Sequence, residues 1–138
     1  MISMEEQTVR QIEEFLRKEI DPAFIIIFGS FAKGSVHKDS DLDIAFYSEE
    51  REFSSYDLFM MAQELADMLK LEVDLVNLRT ASTVFQAQIY TTGKVIYSKD
   101  ESLRKRCEML SLRMYVKLNE ERKDIILKVN ESGTIYDK

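Results

Sequence analysis

The hydrophobic positions alternate between helical and strand spacing along the whole chain. In the first segment, Ser3 and Glu6 have the spacing of a capping box and predict the start of a helix. Its apolar face is formed by Val9, Ile12, Leu16 and Ile20. Asp21-Pro22 predicts the end of this helix, because a residue before proline is pushed out of the α region.

The rest of the pattern predicts a small α/β domain in which helices pack on a sheet. Strands are predicted at Phe24 to Phe28, Asp41 to Tyr47, Leu71 to Val76 and Lys94 to Tyr97. Apolar stripes at helical spacing predict helices from Leu58 to Leu69 and near Ser82 to Tyr90. A second capping box, Ser98 to Glu101, predicts the start of a long helix that runs to about Val129. Helices and strands therefore alternate from the first helix to the last, including a helical segment that we expect between the first two strands.

The long last segment carries two apolar faces. A stripe at helical spacing predicts one buried face and consists of Leu103, Cys107, Leu110, Met114 and Leu118. A second, partly apolar face consists of Met109, Leu112, Tyr115 and Val116. Such a helix either contacts something besides its own core or wraps a wide stretch of the sheet, and both interpretations stay open.

Composition excludes several classes of protein. A net charge of -6 argues against a chain that grips long nucleic acid, which requires a basic surface. No apolar run is long enough to span a membrane, and the first residues lack the pattern of a signal peptide. Cys107 is the sole cysteine and forms no internal disulfide, so we expect a cytoplasmic protein. One cysteine and one histidine do not support a zinc site.

The candidate chemistry lies in Gly29-Ser30 and, ten residues later, Asp41-Leu42-Asp43. Gly29 and Ser30 follow a buried strand, where backbone N–H groups and a hydroxyl can bind phosphate oxygens. Asp41 and Asp43 share one strand face and lie roughly 7 Å apart along the backbone, so both can reach a common metal pair. Magnesium combines one or two carboxylates with substrate phosphates, and two such ions clamp an in-line displacement.

Other polar residues lie near this motif or on the neighbouring predicted strand. Asp74 alternates with Val73 and Leu75, so we expect a third carboxylate on the same sheet face, able to bind a metal or take a proton. Lys33 is either a phosphate contact or a solvated surface lysine. Asp39 and His37 are interpreted as loop residues.

These residues carry a family resemblance. Gly29-Ser30-Phe31-Ala32-Lys33-Gly34, followed by Ser40-Asp41-Leu42-Asp43-Ile44, resembles the signature of the nucleotidyltransferase superfamily typified by DNA polymerase beta. The resemblance covers about residues 24 to 98, and in size the chain is similar to minimal nucleotidyltransferases, specifically MNT-type antitoxins that pair with a HEPN-domain toxin. Polymerases carry large extra domains for which this chain has no room, and aminoglycoside-modifying relatives usually carry a helical domain or a dimer partner that completes the drug site.

The resemblance implies a polymerase-beta-like fold, a small mixed sheet flanked by helices with a long C-terminal helix at about 99 to 129. It implies a single domain, 1 to 138, in which Asp41, Asp43 and Asp74 hold two Mg²⁺ ions. ATP phosphates would lie at Gly29 and Ser30, and we include Lys33 and Ser40 among the nucleotide-binding residues. Arginine is frequent in the family where Lys33 stands, which weakens the case for a bidentate phosphate contact.

The implied reaction transfers AMP from ATP to a tyrosine hydroxyl of a HEPN-type RNase toxin, so the protein would act as an antitoxin. Two alternative functions are also compatible with the sequence. One is an enzyme that modifies a small molecule such as an aminoglycoside. The other is a binding module that neutralises its partner by steric contact alone.

Overall fold

In the computed structural model, residues 4–29 and 41–132 are described, and they form one four-stranded sheet with helices on both faces. The helices are α1 (Met4–Glu19), α2 (Ser55–Leu69), α3 (Thr83–Thr92) and α4 (Glu101–Ser132). The strands are β1 (Phe24–Phe28), β2 (Asp41–Tyr47), β3 (Glu72–Asn77) and β4 (Lys94–Ser98). The first capping residue, Ser3, and the helical segment expected between β1 and β2 lie outside the described residues.

The sheet is mixed, as the family resemblance implies. Its strand order is β3-β2-β1-β4, and β1 is antiparallel to both β2 and β4. The pair β2–β3 is parallel, because the chain crosses over through α2 and returns to the same end of the sheet. The N-terminal ends of β2 and β3 therefore lie side by side.

Two apolar clusters cover the two faces of the sheet. The first lies between the sheet and helices α1 and α2, and the second between the sheet and helices α3 and α4. Leu42, Ile44 and Phe46 of β2 belong to the first cluster, whereas Ala45 belongs to the second. The predicted alternation of β2 is confirmed, and it directs Asp41 and Asp43 to the α3/α4 face.

Local hydrogen bonds fix the ends of the helices that surround the sheet. Before α2, the Asp57 N–H donates to Ser54 Oγ at 3.0 Å, and the Ser54 N–H donates to an Asp57 carboxylate oxygen at 3.3 Å, which is a capping box. Ser82 caps α3 by accepting from the Phe85 N–H at 3.2 Å. The short helix predicted near Ser82 is confirmed.

The predicted cap of α4 is wrong. The Leu103 N–H donates to Asp100 Oδ1 at 3.1 Å, so Asp100 and not Ser98 caps the helix. Ser98 is the last residue of β4 and pairs with Phe24 of β1. The strand holds Ser98 in an extended conformation, and the helix begins three residues later, at Glu101.

The predicted burial of the α4 stripe holds only for its first part. Leu103 is buried and Cys107 and Leu118 are half-buried, but 57% of Leu110 and 51% of Met114 are exposed. Ser111 is the last fully buried residue of α4 within the described part of the chain. Beyond Ser111 the described part of α4 has no buried residue, and large apolar side chains are exposed on its surface, including Ile125, Ile126 and Leu127. The interpretation that α4 merely wraps the sheet does not fit this geometry. No described helix is long and apolar enough to cross a membrane.

We expect the two parts of the stripe to differ in their contribution to stability. Leu103→Ala should lower the free energy of unfolding by about 2–5 kcal/mol, because it removes a buried side chain between α4 and the sheet. Met114→Ala should change the free energy of unfolding by less than about 0.5 kcal/mol, as surface substitutions do. Urea titrations of the two variants measure this difference, and equal losses would contradict the observed end of the packed region.

Candidate active site

Parallel pairing of β2 with β3 brings the predicted carboxylates together. Asp43 lies opposite Asp74 in the register, and Asp41 lies opposite Glu72. All four side chains are directed to the face that α3 and α4 cover, at the end of the sheet where β2 and β3 begin. Asp41 and Asp74 are exposed and Asp43 is half-buried.

Asp43 is the most perturbed member of this group. Its pKa is raised above the usual aspartate value, first by burial and then by the negative charges of Asp74 and Asp41. Burial disfavours the charged form, and neighbouring like charges disfavour it further. The three carboxylates therefore interact electrostatically, and a bound cation would offset their mutual repulsion.

Gly29 lies directly against this group, at the end of β1. Its φ angle is +76°, a left-handed conformation that favours glycine. Phe28 pairs with Asp43 across the antiparallel ladder, so the next residue reaches the Asp43 side chain. A Cβ atom on Gly29 would collide with Asp43 Oδ2 and lie 3.3 Å from Asp43 Cγ. Glycine at this position thus leaves room for the Asp43 carboxylate.

The other predicted nucleotide-binding residues lie outside the described residues. Ser30, Lys33 and Ser40 belong to this group, as do the residues interpreted as loop positions, His37 and Asp39. Their roles stay predictions.

The donor chemistry of the carboxylates fits Mg²⁺. Oxygen atoms of Asp41, Asp43 and Asp74 are hard ligands, and their mutual repulsion indicates a place for a cation. Within the described ranges, no group of three or more acidic, histidine or cysteine side chains is positioned to bind a metal ion by itself. Magnesium commonly binds one or two carboxylates and completes its coordination with substrate phosphates and water. The carboxylates are therefore suited to a Mg²⁺ ion whose remaining ligands come from the nucleotide phosphates and from water.

Two features of this end of the sheet were missed from the sequence. Glu72 adds a fourth carboxylate, and its position two residues before Asp74 on a strand was the signal that could have identified it. Phe85, in the first turn of α3, packs edge-on against Phe28 with ring centroids 5.6 Å apart. This aromatic pair forms an apolar wall beside Asp43. No local sequence pattern predicts the pair, because its two members come from distant segments of the chain.

Comparison with known proteins agrees with this geometry. Residues 10–102 match the family model described as Polymerase beta, Nucleotidyltransferase. The chain belongs to this nucleotidyltransferase family. The polymerase-beta-like fold and the enzyme class expected from the sequence are confirmed.

Similar proteins of the family include a named enzyme and members of complexes. Protein adenylyltransferase MntA from Shewanella oneidensis is 35% identical over 126 residues, or 89% of this chain and 88% of MntA. A chain in a crystal structure of a toxin–antitoxin with AMP-PNP has a TM-score of 0.79 and 34% identity, covering 88% of this chain and 97% of that chain. A chain in the structure of tri-AMPylated Shewanella oneidensis HEPN toxin in complex with MNT antitoxin has a TM-score of 0.76 and 31% identity, covering 91% of this chain and 98% of that chain.

Asp43→Asn should abolish most nucleotidyl transfer without unfolding this family member. The variant loses several kcal/mol of electrostatic stabilisation of the transition state, so the rate of nucleotidyl transfer should fall by at least about a hundredfold. Because the pKa of Asp43 is raised in the folded state, its ionisation lowers stability as pH rises through that pKa. At a pH above the pKa of Asp43, and in EDTA, the variant should therefore have a melting temperature equal to or higher than that of the wild-type protein. Near-normal transfer by Asp43→Asn would contradict the assignment.

Gly29→Ala should both destabilise the protein and weaken binding of Mg²⁺ with a non-hydrolysable ATP analogue. The left-handed backbone costs roughly 1–3 kcal/mol for a residue with a side chain, and the new methyl group displaces the Asp43 carboxylate. Gly93→Ala is a matched control, because its Cβ would collide with Ile26 and the Ile89 carbonyl, away from the carboxylates. Calorimetry on the folded proteins should show weakened nucleotide binding for Gly29→Ala alone. Unchanged affinity in Gly29→Ala would refute the role of Gly29.

Proposed function

We propose that this chain is a Mg²⁺-dependent protein adenylyltransferase that moves AMP from ATP to a hydroxyl group of a HEPN-type toxin and so acts as an antitoxin. The observation that carries the proposal is the register of β2 and β3, which places Asp74 beside Asp43. The similarity to MntA over 89% of the chain supports the reaction. The similarity to a chain of the AMPylated toxin complex supports the partner.

Four residues of the site divide into three roles in this reaction. Asp41 and Asp43 would hold Mg²⁺, which supplies neutralisation of charge on the phosphates when it is bound. Gly29 would let the phosphates approach the backbone next to Asp43. Asp74 lies on the neighbouring strand, exposed and directed to the same face, where an acceptor hydroxyl can reach it.

The transfer is an in-line displacement at the α-phosphorus of ATP. The acceptor oxygen forms a bond to the α-phosphorus, and the bond from that phosphorus to the α,β-bridging oxygen breaks. Pyrophosphate leaves, and the proton of the acceptor hydroxyl passes to the Asp74 carboxylate. The product is an AMP phosphodiester on the acceptor.

The surface of α4 supports a protein partner. Beyond Ser111 the helix carries exposed Met114, Val116, Ile125, Ile126 and Leu127, each at least half exposed. Exposed apolar residues at this density on one helix are typical of an interaction surface. The same surface also favours a second candidate function, in which the chain neutralises a toxin by contact and without chemistry.

Asp74→Asn separates the chemical from the steric function. The variant should keep its fold, its affinity for the ATP analogue and its complex with the toxin, because none of these requires a base on the acceptor side. Transfer of label from ATP to the toxin should fall by about 10²–10⁴-fold, the usual contribution of a general base. The assay combines labelled ATP, Mg²⁺ and the helical protein encoded by the neighbouring gene.

Asp67→Asn is the matched control, since Asp67 is an exposed carboxylate on α2. It should transfer label at the wild-type rate. In cells, Asp74→Asn should fail to protect against the toxin although the complex still forms. Full protection by Asp74→Asn would mean that inhibition occurs by contact.

A further inference from the structure

The outer edge of β3 is a regular edge of the sheet. Strand β3 stands at one end of the order β3-β2-β1-β4, so among the described strands only β2 pairs with it. Its residues, Glu72–Asn77, pair with β2 in one continuous register. The other edge strand, β4, pairs with β1 through a register shift between Ile25 and Ile26, and bulges of this kind hinder the pairing of a further strand. Of the two edges, β3 is therefore the better template for an additional strand.

The backbone groups that face this edge belong to Val73 and Leu75. Just beyond the strand, the Leu78 N–H donates to the Phe46 carbonyl of β2 at 3.0 Å, so Leu78 directs its backbone towards β2. Successive residues of a strand direct their N–H and C=O groups alternately to its two sides, so Asp74, four residues before Leu78, also faces β2. Val73 and Leu75 then direct their backbone groups outward, and each offers one donor and one acceptor.

A cleft of about 330 Å³ lies along the first half of this edge, between α2 and β3. Its lining includes residues from both faces of the sheet. Ala66 of α2 and Val73 of β3 lie on the α1/α2 side, whereas Asp74 is directed to the α3/α4 side. A ligand that lies on one face of the sheet contacts only one of these sides. A strand added to the edge contacts both, because its side chains alternate between the two faces.

The side chains along the edge restrict what can pair with it. Glu72 and Asp74 are exposed carboxylates on one face, and Val73 and Leu75 are half-buried apolar residues on the other. A second copy of the chain, paired through the same edge about a two-fold axis, would set one acidic edge against another. Like charges across a strand pair are destabilising, whereas opposite charges stabilise the pair. The edge therefore disfavours self-association and favours a cationic segment of a different protein.

We infer that the β3 edge binds an extended segment of a protein partner, in which cationic and apolar residues alternate, as a fifth strand of the sheet. The cationic side chains lie opposite Glu72 and Asp74, and the apolar side chains cover Val73 and Ala66. Backbone hydrogen bonds to Val73 and Leu75 hold the segment, and the alternating side chains select it. This interaction uses the edge of the sheet and does not depend on nucleotide transfer.

Hydrogen exchange in the presence of a peptide tests the strand addition directly. The probe is a blocked synthetic peptide of about nine residues in which Lys and Val alternate, added in EDTA so that no metal ion competes for the carboxylates. At millimolar peptide, exchange of the Val73 and Leu75 amides should slow at least tenfold, because both N–H groups become hydrogen-bonded, whereas exchange in β4 should not change. The same peptide methylated at every backbone nitrogen keeps its charges but cannot pair, and should give no protection.

Charge reversal at the edge tests the chemistry of the segment. Glu72→Lys should lower the affinity for the Lys–Val peptide at least threefold and raise the affinity for a Glu–Val peptide. Glu64→Lys is the matched control, because Glu64 is exposed on α2, does not line the cleft and changes the net charge by the same amount. It should bind the Lys–Val peptide like the wild-type protein.

Each contrary outcome overturns the inference at a stated point. Unchanged exchange of Val73 and Leu75 at millimolar peptide would exclude strand addition, and equal protection by the methylated peptide would mean that charge alone attracts the probe. Equal affinity of the wild-type protein for the Lys–Val and Glu–Val peptides would exclude a cationic segment. Protection that rises with protein concentration without peptide would assign the edge to a second copy of the chain. None of these measurements uses a nucleotide, so their failure is distinguishable from failure of the proposed function.

Discussion

The parallel register of β2 and β3 is the constraint on which the candidate site depends. It sets Asp43 opposite Asp74 and Asp41 opposite Glu72, so four carboxylates lie on one face at one end of the sheet. A shift of the register by one residue would turn Asp74 to the opposite face, into the apolar cluster under α1 and α2. The apolar residues on that face therefore also maintain the geometry of the acidic face.

The site imposes a cost on the fold that the core offsets. Burial and like charges disfavour ionisation of Asp43, and Gly29 is held in a left-handed conformation beside it. Both features lie next to β1, whose five residues are all buried between two helical layers. A buried central strand can hold the left-handed backbone of Gly29 and the neighbouring carboxylate of Asp43 in place. Functional sites are commonly supported in this way, with local strain balanced by packing elsewhere.

Strand periodicity predicted the sheet face of the three aspartates because each of these predictions needed one segment alone. Alternation placed Asp41 and Asp43 on one face of β2, and the same rule placed Asp74 opposite Val73. The contact between Gly29 and Asp43 and the wall formed by Phe85 depend on how distant segments pair, which no local pattern encodes. Ser30, Lys33 and Ser40 remain predictions from the motif.

The errors along α4 have a similar cause. Periodicity identifies an apolar stripe but not where the body of the protein stops, so Leu110 and Met114 were wrongly predicted to be buried. The cap was misplaced because Ser98 has the spacing of a capping residue, yet β4 retains it as a strand residue. In the first case the tertiary packing ends before the stripe does, and in the second case strand pairing overrides the local signal.

The candidate carboxylates and the apolar surface of α4 lie on different elements of the fold, which is consistent with the proposal of an enzyme that receives its acceptor from a bound protein. The most direct test of this account is the intact mass of the toxin after incubation with the wild-type chain, ATP and Mg²⁺. The account predicts that the mass rises by a whole number of AMP groups and that EDTA prevents the increase. A toxin that is bound and inactivated with no change in mass would contradict it.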